Sequence, residues 1–180
     1  HLSNTGINTA QNNTFLDSSS NNFTITRNGN TTQGSFSPYG NLWSNYYTSS
    51  SGYLTTSANA NLASSTNSFT LEFWYNSTAT GNGRIMGNGT GGSYGANNWV
   101  FCSNASASGK LELAVYNYSS SASMLFSNST TVASDGQWHH IVVVRSVNTW
   151  AMFIDGVRQG STITSSVSFN GTSSAFTIGW

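Results

Sequence analysis

Five carboxylates occur in the 180-residue chain, Asp17, Glu72, Glu112, Asp135 and Asp155, and their spacing decides what chemistry they could support. Glycoside hydrolysis requires two carboxyl groups held about 5–9.5 Å apart, one as acid and one as base or nucleophile. No two of these acids share a short segment, so no such pair is legible and no catalytic residue is assigned. Glu72 in Leu71-Glu72-Phe73 and Glu112 in Leu111-Glu112-Leu113 each stand alone in an apolar run. Such a residue belongs on an outward sheet face, or beside Arg84 or Arg145. Asp135 and Asp155 precede Gly136 and Gly156, where an aspartate ordinarily hydrogen-bonds the backbone of its own turn.

His139-His140 invites a metal or general-base reading. Neighbouring residues on a strand point to opposite faces, so the two imidazoles cannot chelate one ion. Cys102 is the single cysteine, which excludes an internal disulfide and any Cys-x-x-Cys metal site. Within Trp99-Val100-Phe101-Cys102 it reads as a small buried hydrophobe. Calcium takes roughly six to eight oxygens, several of them carboxylates. So few acids argue against a strong site, and no metal or cofactor is assigned.

Recognition of a sugar asks for exposed aromatic faces with planar amides or hydroxyls beside them. Tyr94 with Asn97 and Asn98, and Asn117 with Tyr118, are the ligand-binding candidates, each in a stretch rich in Gly, Asn or Ser. The plainer reading makes them ordinary loop residues, with Tyr116 packed inside.

The scaffold that would position these groups is visible in the composition. Hydrophobic residues make up 37% of the chain and aromatics 13%, enough for a core of rings, while charged residues make up only 6%. An ordinary soluble domain carries about 25% charged residues. Plentiful aromatic and β-branched residues with zero net charge separate this chain from a disordered one. Arg27, Arg84, Lys110, Arg145 and Arg158 are scattered, so the clustered cations that a phosphate backbone or anionic membrane surface needs are missing. No apolar stretch approaches the ~20 residues of a membrane span. Nucleic-acid binding and membrane insertion are therefore not expected.

No window carries helical periodicity, whereas short runs of Val, Ile, Thr and aromatics recur between Gly/Asn/Ser clusters. Strands are expected at Phe23 to Arg27, Phe69 to Tyr75, Trp99 to Cys102, Leu111 to Tyr116, Trp138 to Arg145, Trp150 to Ile154 and Phe176 to Trp180. Asn28-Gly29, Asn88-Gly89 and Asp155-Gly156 accept positive φ and are candidate hairpin turns, Asp155-Gly156 the strongest. The chain predicts an all-β antiparallel β-sandwich of jelly-roll type. Residues 1–180 are expected to form a single domain, part of a longer protein, with 1–21 a loop-rich lead-in.

Three segments together resemble the laminin-G-like, or concanavalin-A-like, lectin/glucanase sandwich. They are Gly52-Tyr53-Leu54 with Ser68 to Trp74, then Asp135-Gly136-Gln137-Trp138-His139-His140-Ile141-Val142, which is similar to a "DGxWHHV" strand entry, then Met152-Phe153-Ile154-Asp155-Gly156. Phe176-Thr177-Ile178-Gly179 resembles the family's "LxIG" strand. The resemblance gives Trp74, Trp138, His139, His140, Asp155 and Gly156 a role in packing, and it keeps calcium at a loop rim open, because some relatives bind it there. The glucanase branch carries paired acids on one strand, and that cluster is absent from this sequence. Family members usually continue past the "IG" strand into a closing strand, so an edge completed by later residues or by a neighbouring subunit is expected. Asp17-Ser18-Ser19-Ser20-Asn21-Asn22 and Ser37-Pro38-Tyr39-Gly40 resemble lectin-like domains in structural proteins of marine tailed phages.

These features point to a non-enzymatic carbohydrate-binding, adhesion or decoration domain of a phage structural protein, on a tail fibre or capsid. Its location would be the virion surface or extracellular space. The partners implied are a cell-surface glycan or neighbouring virion subunits, with homo-oligomerisation allowed for. A purely architectural virion module is the alternative, and a polysaccharide hydrolase ranks below both.

Overall fold

Runs that alternate between core-facing and solvent-facing residues pair edge to edge, because backbone N–H and C=O groups taken from water must find partners. The computed structural model describes residues 2–3, 13–40, 42–47, 51–56, 68–81, 83–88, 99–104, 108–116, 122–126, 129–167 and 175–179. The strands in chain order begin with β1 (Leu2–Ser3), β2 (Leu16–Asp17), β3 (Ile25–Asn28), β4 (Thr32–Gly34), β5 (Ser44–Tyr46) and β6 (Tyr53–Thr56). Then come β7 (Phe69–Tyr75), β8 (Gly83–Asn88), β9 (Trp99–Asn104), β10 (Lys110–Tyr116) and β11 (Ala122–Phe126). The last are β12 (His139–Ser146), β13 (Thr149–Ile154), β14 (Val157–Arg158), β15 (Ile163–Thr164) and β16 (Phe176–Ile178).

One sheet runs β11-β10-β9-β8-β16-β6-β3, and a second runs β14-β13-β12-β7 with β15 also on β13. Every pairing is antiparallel. Two small ribbons, β1-β2 and β4-β5, complete the described strands. The inner faces of the large sheets share one core: Phe101, Leu111, Leu113 and Met86 on one side meet Ile141, Val143, Trp150, Met152 and Ile154 on the other. Phe73 meets Phe101 across it, edge to face at 5.4 Å. The chain is an antiparallel β-sandwich, and the described residues contain no helix.

The expected strands are all present, most of them shifted by one or two residues at an end. β12 shows why they were legible: from His139 to Ser146, buried and half-buried residues alternate strictly until the last position. β4, β5, β8, β11 and β15 were not expected, because each is short or broken by polar residues, whereas β14 is the return strand of the expected Asp155-Gly156 hairpin.

The three turn signals fare differently. Asp155-Gly156 is a two-residue hairpin turn, with φ of 51° and 77° and Ile154 paired to Val157. Asn28-Gly29 turns the chain but joins no paired strands, since β3 pairs with β6 and β4 with β5. Glycine is needed there for a different reason: a Cβ on Gly29 would strike the Ser51 carbonyl. Asn88-Gly89 is no tight hairpin either. Asn88 is a buried strand residue whose Oδ1 accepts from Trp99 N at 2.7 Å, and β8 and β9 are joined through 89–98.

Among the described residues β7 pairs on one side only, which leaves it at the edge of the second sheet.

Candidate functional site

The sequence-derived ligand candidates Tyr94, Asn97, Asn98, Asn117 and Tyr118 lie outside the described residues, as does the side chain of Cys102. The motif residues Trp74, Trp138, His139, His140, Asp155 and Gly156 meet at one end of the second sheet, where β12 begins.

His139 and His140 do point to opposite faces. His139 faces inward and is buried, with Nδ1 2.7 Å from Asp155 Oδ2 and Nε2 3.0 Å from Asp135 Oδ1. Burial works to lower the imidazole pKa. The hydrogen bonds to Asp155 and then Asp135 outweigh it, so the pKa stands above its ordinary value. The same bonds depress both carboxylates: Asp155 against its own burial, and Asp135 first through the backbone N–H of Gln137 and then through His139. Asp135 makes the expected bond within its own turn, to Gln137 N at 2.9 Å. Asp155 does not. Its Oδ1 accepts from His140 N at 2.8 Å, so it clamps its hairpin to β12.

The outer face of the same strand end is a different environment. His140 pairs with Trp74 across β12 and β7, and the two rings stack at 5.0 Å. His140 Nε2–H donates to Glu72 Oε1 at 2.8 Å, which corrects the expected Glu72–Arg alternative while keeping Glu72 outward. The loop between β4 and β5 covers this face. Tyr39 meets Trp74 edge to face at 5.4 Å, and Phe36 meets Trp138 at 5.3 Å. Ser44 Oγ holds the Phe36 carbonyl, closing the loop at its base. Burial usually accounts for rings in a β-sandwich, yet Phe36 is 62% exposed, Tyr39 55% and Trp74 38%. Neighbouring exposed rings of this kind can serve as a contact surface.

A shelf of ring faces beside a half-free carboxylate and an imidazole can stack on an apolar ligand face and accept its hydroxyl protons. Of the other carboxylates, Asp135 and Asp155 are both committed to His139, and Asp17 accepts from Ser19 and Phe23 N–H. Among the described residues no group of three or more His, Cys, Asp or Glu is arranged to hold a metal ion. Glu112 and Arg84 both lie opposite Cys102, which places them in one row of the first sheet.

Sequence reasoning missed Phe36 and Tyr39, and it gave Trp74 and Glu72 no ligand role. One signal was available: the alternation in Phe69–Tyr75 puts Thr70, Glu72 and Trp74 on the face opposite Phe69, Leu71 and Phe73. A tryptophan of outward parity needs a reason to be there.

The chain resembles known proteins chiefly in its fold. The binding domain of Paraclostridial Mosquitocidal Protein 1 superposes with a TM-score of 0.67 at 12% identity, covering 98% of this chain. The present chain spans 42% of that one. Domains LG4-5 of mouse laminin alpha1 (TM-score 0.47, 12% identity, 63% of this chain and 28% of that one) are more distant. So is carbohydrate-binding module CBM66 from Bacillus subtilis (TM-score 0.45, 14% identity, 85% of each chain). No curated protein matches the sequence. A family model matches residues 48–180, the stretch that holds β6 through β16 and every motif around His139, and the chain belongs to the Concanavalin A-like lectin/glucanases superfamily.

Proposed function

We propose that this chain is a non-enzymatic carbohydrate-binding domain, displayed on a viral particle as an adhesion or decoration domain of the tailed-phage kind. The observation that carries the binding reading is the exposed Tyr39–Trp74 pair standing beside the Glu72–His140 hydrogen bond. Ring faces supply the stacking platform for a sugar's C–H face, and Glu72 supplies a directional acceptor. The charge-poor, hydroxyl-rich composition supports contact with polysaccharide that depends little on salt. The commitment of Asp135 and Asp155 to one histidine takes them out of use as the carboxyl pair of a glycoside hydrolase, which supports a non-catalytic role.

Titration of the 180-residue chain with a panel of polysaccharides, followed by calorimetry and tryptophan fluorescence, tests this. Binding that Tyr39→Ala or Trp74→Ala weakens by about tenfold or more, in variants that melt like the parent, is the expected result. Absence of binding across the panel, or binding indifferent to both substitutions, refutes it. An antibody to the chain should also label intact particles.

An architectural role is the second reading, and β7 favours it. The aromatic shelf lies on a sheet face, and β7, which carries Trp74, is an edge strand among the described residues, a position that can take strand addition or homo-oligomer contacts. Concentration-dependent association abolished by Trp74→Ala, with no glycan binding, would select that reading.

A further inference from the structure

We infer that the Tyr39–Trp74 shelf selects neutral glycans and rejects acidic ones; the inference rests on the carbohydrate-binding reading of that site. It follows from where the charges stand. The whole chain has five acids, and three of them, Glu72, Asp135 and Asp155, meet at this strand end. His140 alone contacts two of them, Glu72 through its ring and Asp155 through its backbone N–H. Glu72 remains largely exposed, its side chain 60% accessible, and its Oε1 is the oxygen bonded to His140. A ligand on Trp74 therefore meets a carboxylate directly.

The arginines and the lysine stand elsewhere, and the His139 imidazole at this strand end is held between Asp135 and Asp155 on the inner face. Arg27, Arg84 and Lys110 belong to β3, β8 and β10 of the other sheet. Arg145 is three residues along β12 from Val142, the partner of Glu72, about 10 Å at strand rise, but it lies on the inner face, buried over Trp150 with its Nε–H on the Val147 carbonyl. Arg158 shares the outer face, but Glu72 reaches it only through the row Val142, Phe153, Arg158. Three strand spacings put their backbones about 14 Å apart, beyond the Debye length of roughly 8 Å in physiological salt. No fixed cation offsets Glu72 for a bound anion. A carboxylate only accepts hydrogen bonds, so it matches a sugar's hydroxyls and has nothing to offer the anionic group of a uronate or sulfate.

Two unit charges about 5 Å apart in water repel enough for roughly a fourfold loss of affinity, and more where the site excludes water. The test compares a neutral hexose oligosaccharide with a hexuronate oligosaccharide of equal length, by calorimetry, on the parent chain and Glu72→Gln. The neutral ligand should bind at least about fourfold tighter in low salt, with the gap closing near 1 M salt. Glu72→Gln keeps an acceptor and loses the charge, so the ratio of neutral to uronate affinity should fall to near one on that variant, whatever the absolute affinities. Equal or tighter uronate binding by the parent, or a gap that Glu72→Gln leaves intact, overturns the inference and leaves the carbohydrate reading standing. Failure of both oligosaccharides, and of the wider panel, overturns both.

Discussion

The Nδ1 atom of His139 lies 2.7 Å from Oδ2 of Asp155, and this bond ties the β13–β14 turn to the first residue of β12. With Asp135 on the other ring nitrogen, both nitrogens face carboxylates, an arrangement that only the imidazolium satisfies fully. The His-Asp-Asp group is thus a clamp that joins two turns to a strand end.

The clamp makes stability depend on pH in a stated direction. His139 is raised above its ordinary 6.5, so its contribution is complete below that value and is lost as pH rises through the folded pKa. Asp155 is lowered below its ordinary 3.8, so its contribution holds above that value and is lost as pH falls through the folded pKa. Thermal melts should therefore be highest between these limits and decline above about pH 6.5. His139→Gln should cost about 1–3 kcal/mol and flatten the alkaline decline. Parent and variant curves that run parallel from pH 6 to 9 would show that His139 does not carry it.

Gln159 joins the two sheets. Its Oε1 accepts from Thr130 N, Thr130 Oγ1 and Thr131 N at 2.9, 2.7 and 2.9 Å, while its own N–H donates to Met152 O. The Thr130–Thr131 segment is in turn held to Leu111 of β10 by Ser129, and to Gly109 just before β10 by Ala133. Gln159→Ala should lower stability by about 1–3 kcal/mol, since two backbone donors lose their acceptor. Chemical denaturation reads this directly, and an unchanged midpoint would mean water replaces the amide without loss.

Val147 carries a φ of 54°, in the turn that joins Ser146 to Thr149. A β-branched side chain there is strained by about 1–2 kcal/mol, whereas glycine is not. Only the backbone of Val147 is used, its N–H on Ser68 Oγ and its carbonyl on Arg145. Val147→Gly should raise the melting temperature by about 2–4 °C, less whatever unfolded-chain entropy takes back. A lower melting temperature would place the turn's requirement in the valine side chain.

Gly179 has a φ of 71°, and a Cβ there would enter the Tyr47 ring. Gly179→Ala should destabilise by about 2–4 kcal/mol through left-handed strain and overpacking together. The double variant Gly179→Ala/Tyr47→Ala should recover part of that loss, and strict additivity of the two would argue against the contact.

The sequence by itself determined the fold class and its best strands, because a period of two is a local property: Phe69–Tyr75, His139–Ser146 and Thr149–Ile154 each carry their own alternation. It also determined the Asp155-Gly156 turn, since positive φ at two successive residues is a demand that local chemistry meets. It could not bring Tyr39 to Trp74, or Asp135 and Asp155 to the two nitrogens of one imidazole. Those meetings depend on strand register and on how the β4–β5 loop folds over a sheet distant in sequence. Asn28-Gly29 carries the same lesson: its turn chemistry was visible, but which strands it joins was settled by pairing with β6. Local propensity chooses the conformation of a residue, and only packing among distant segments chooses its neighbours.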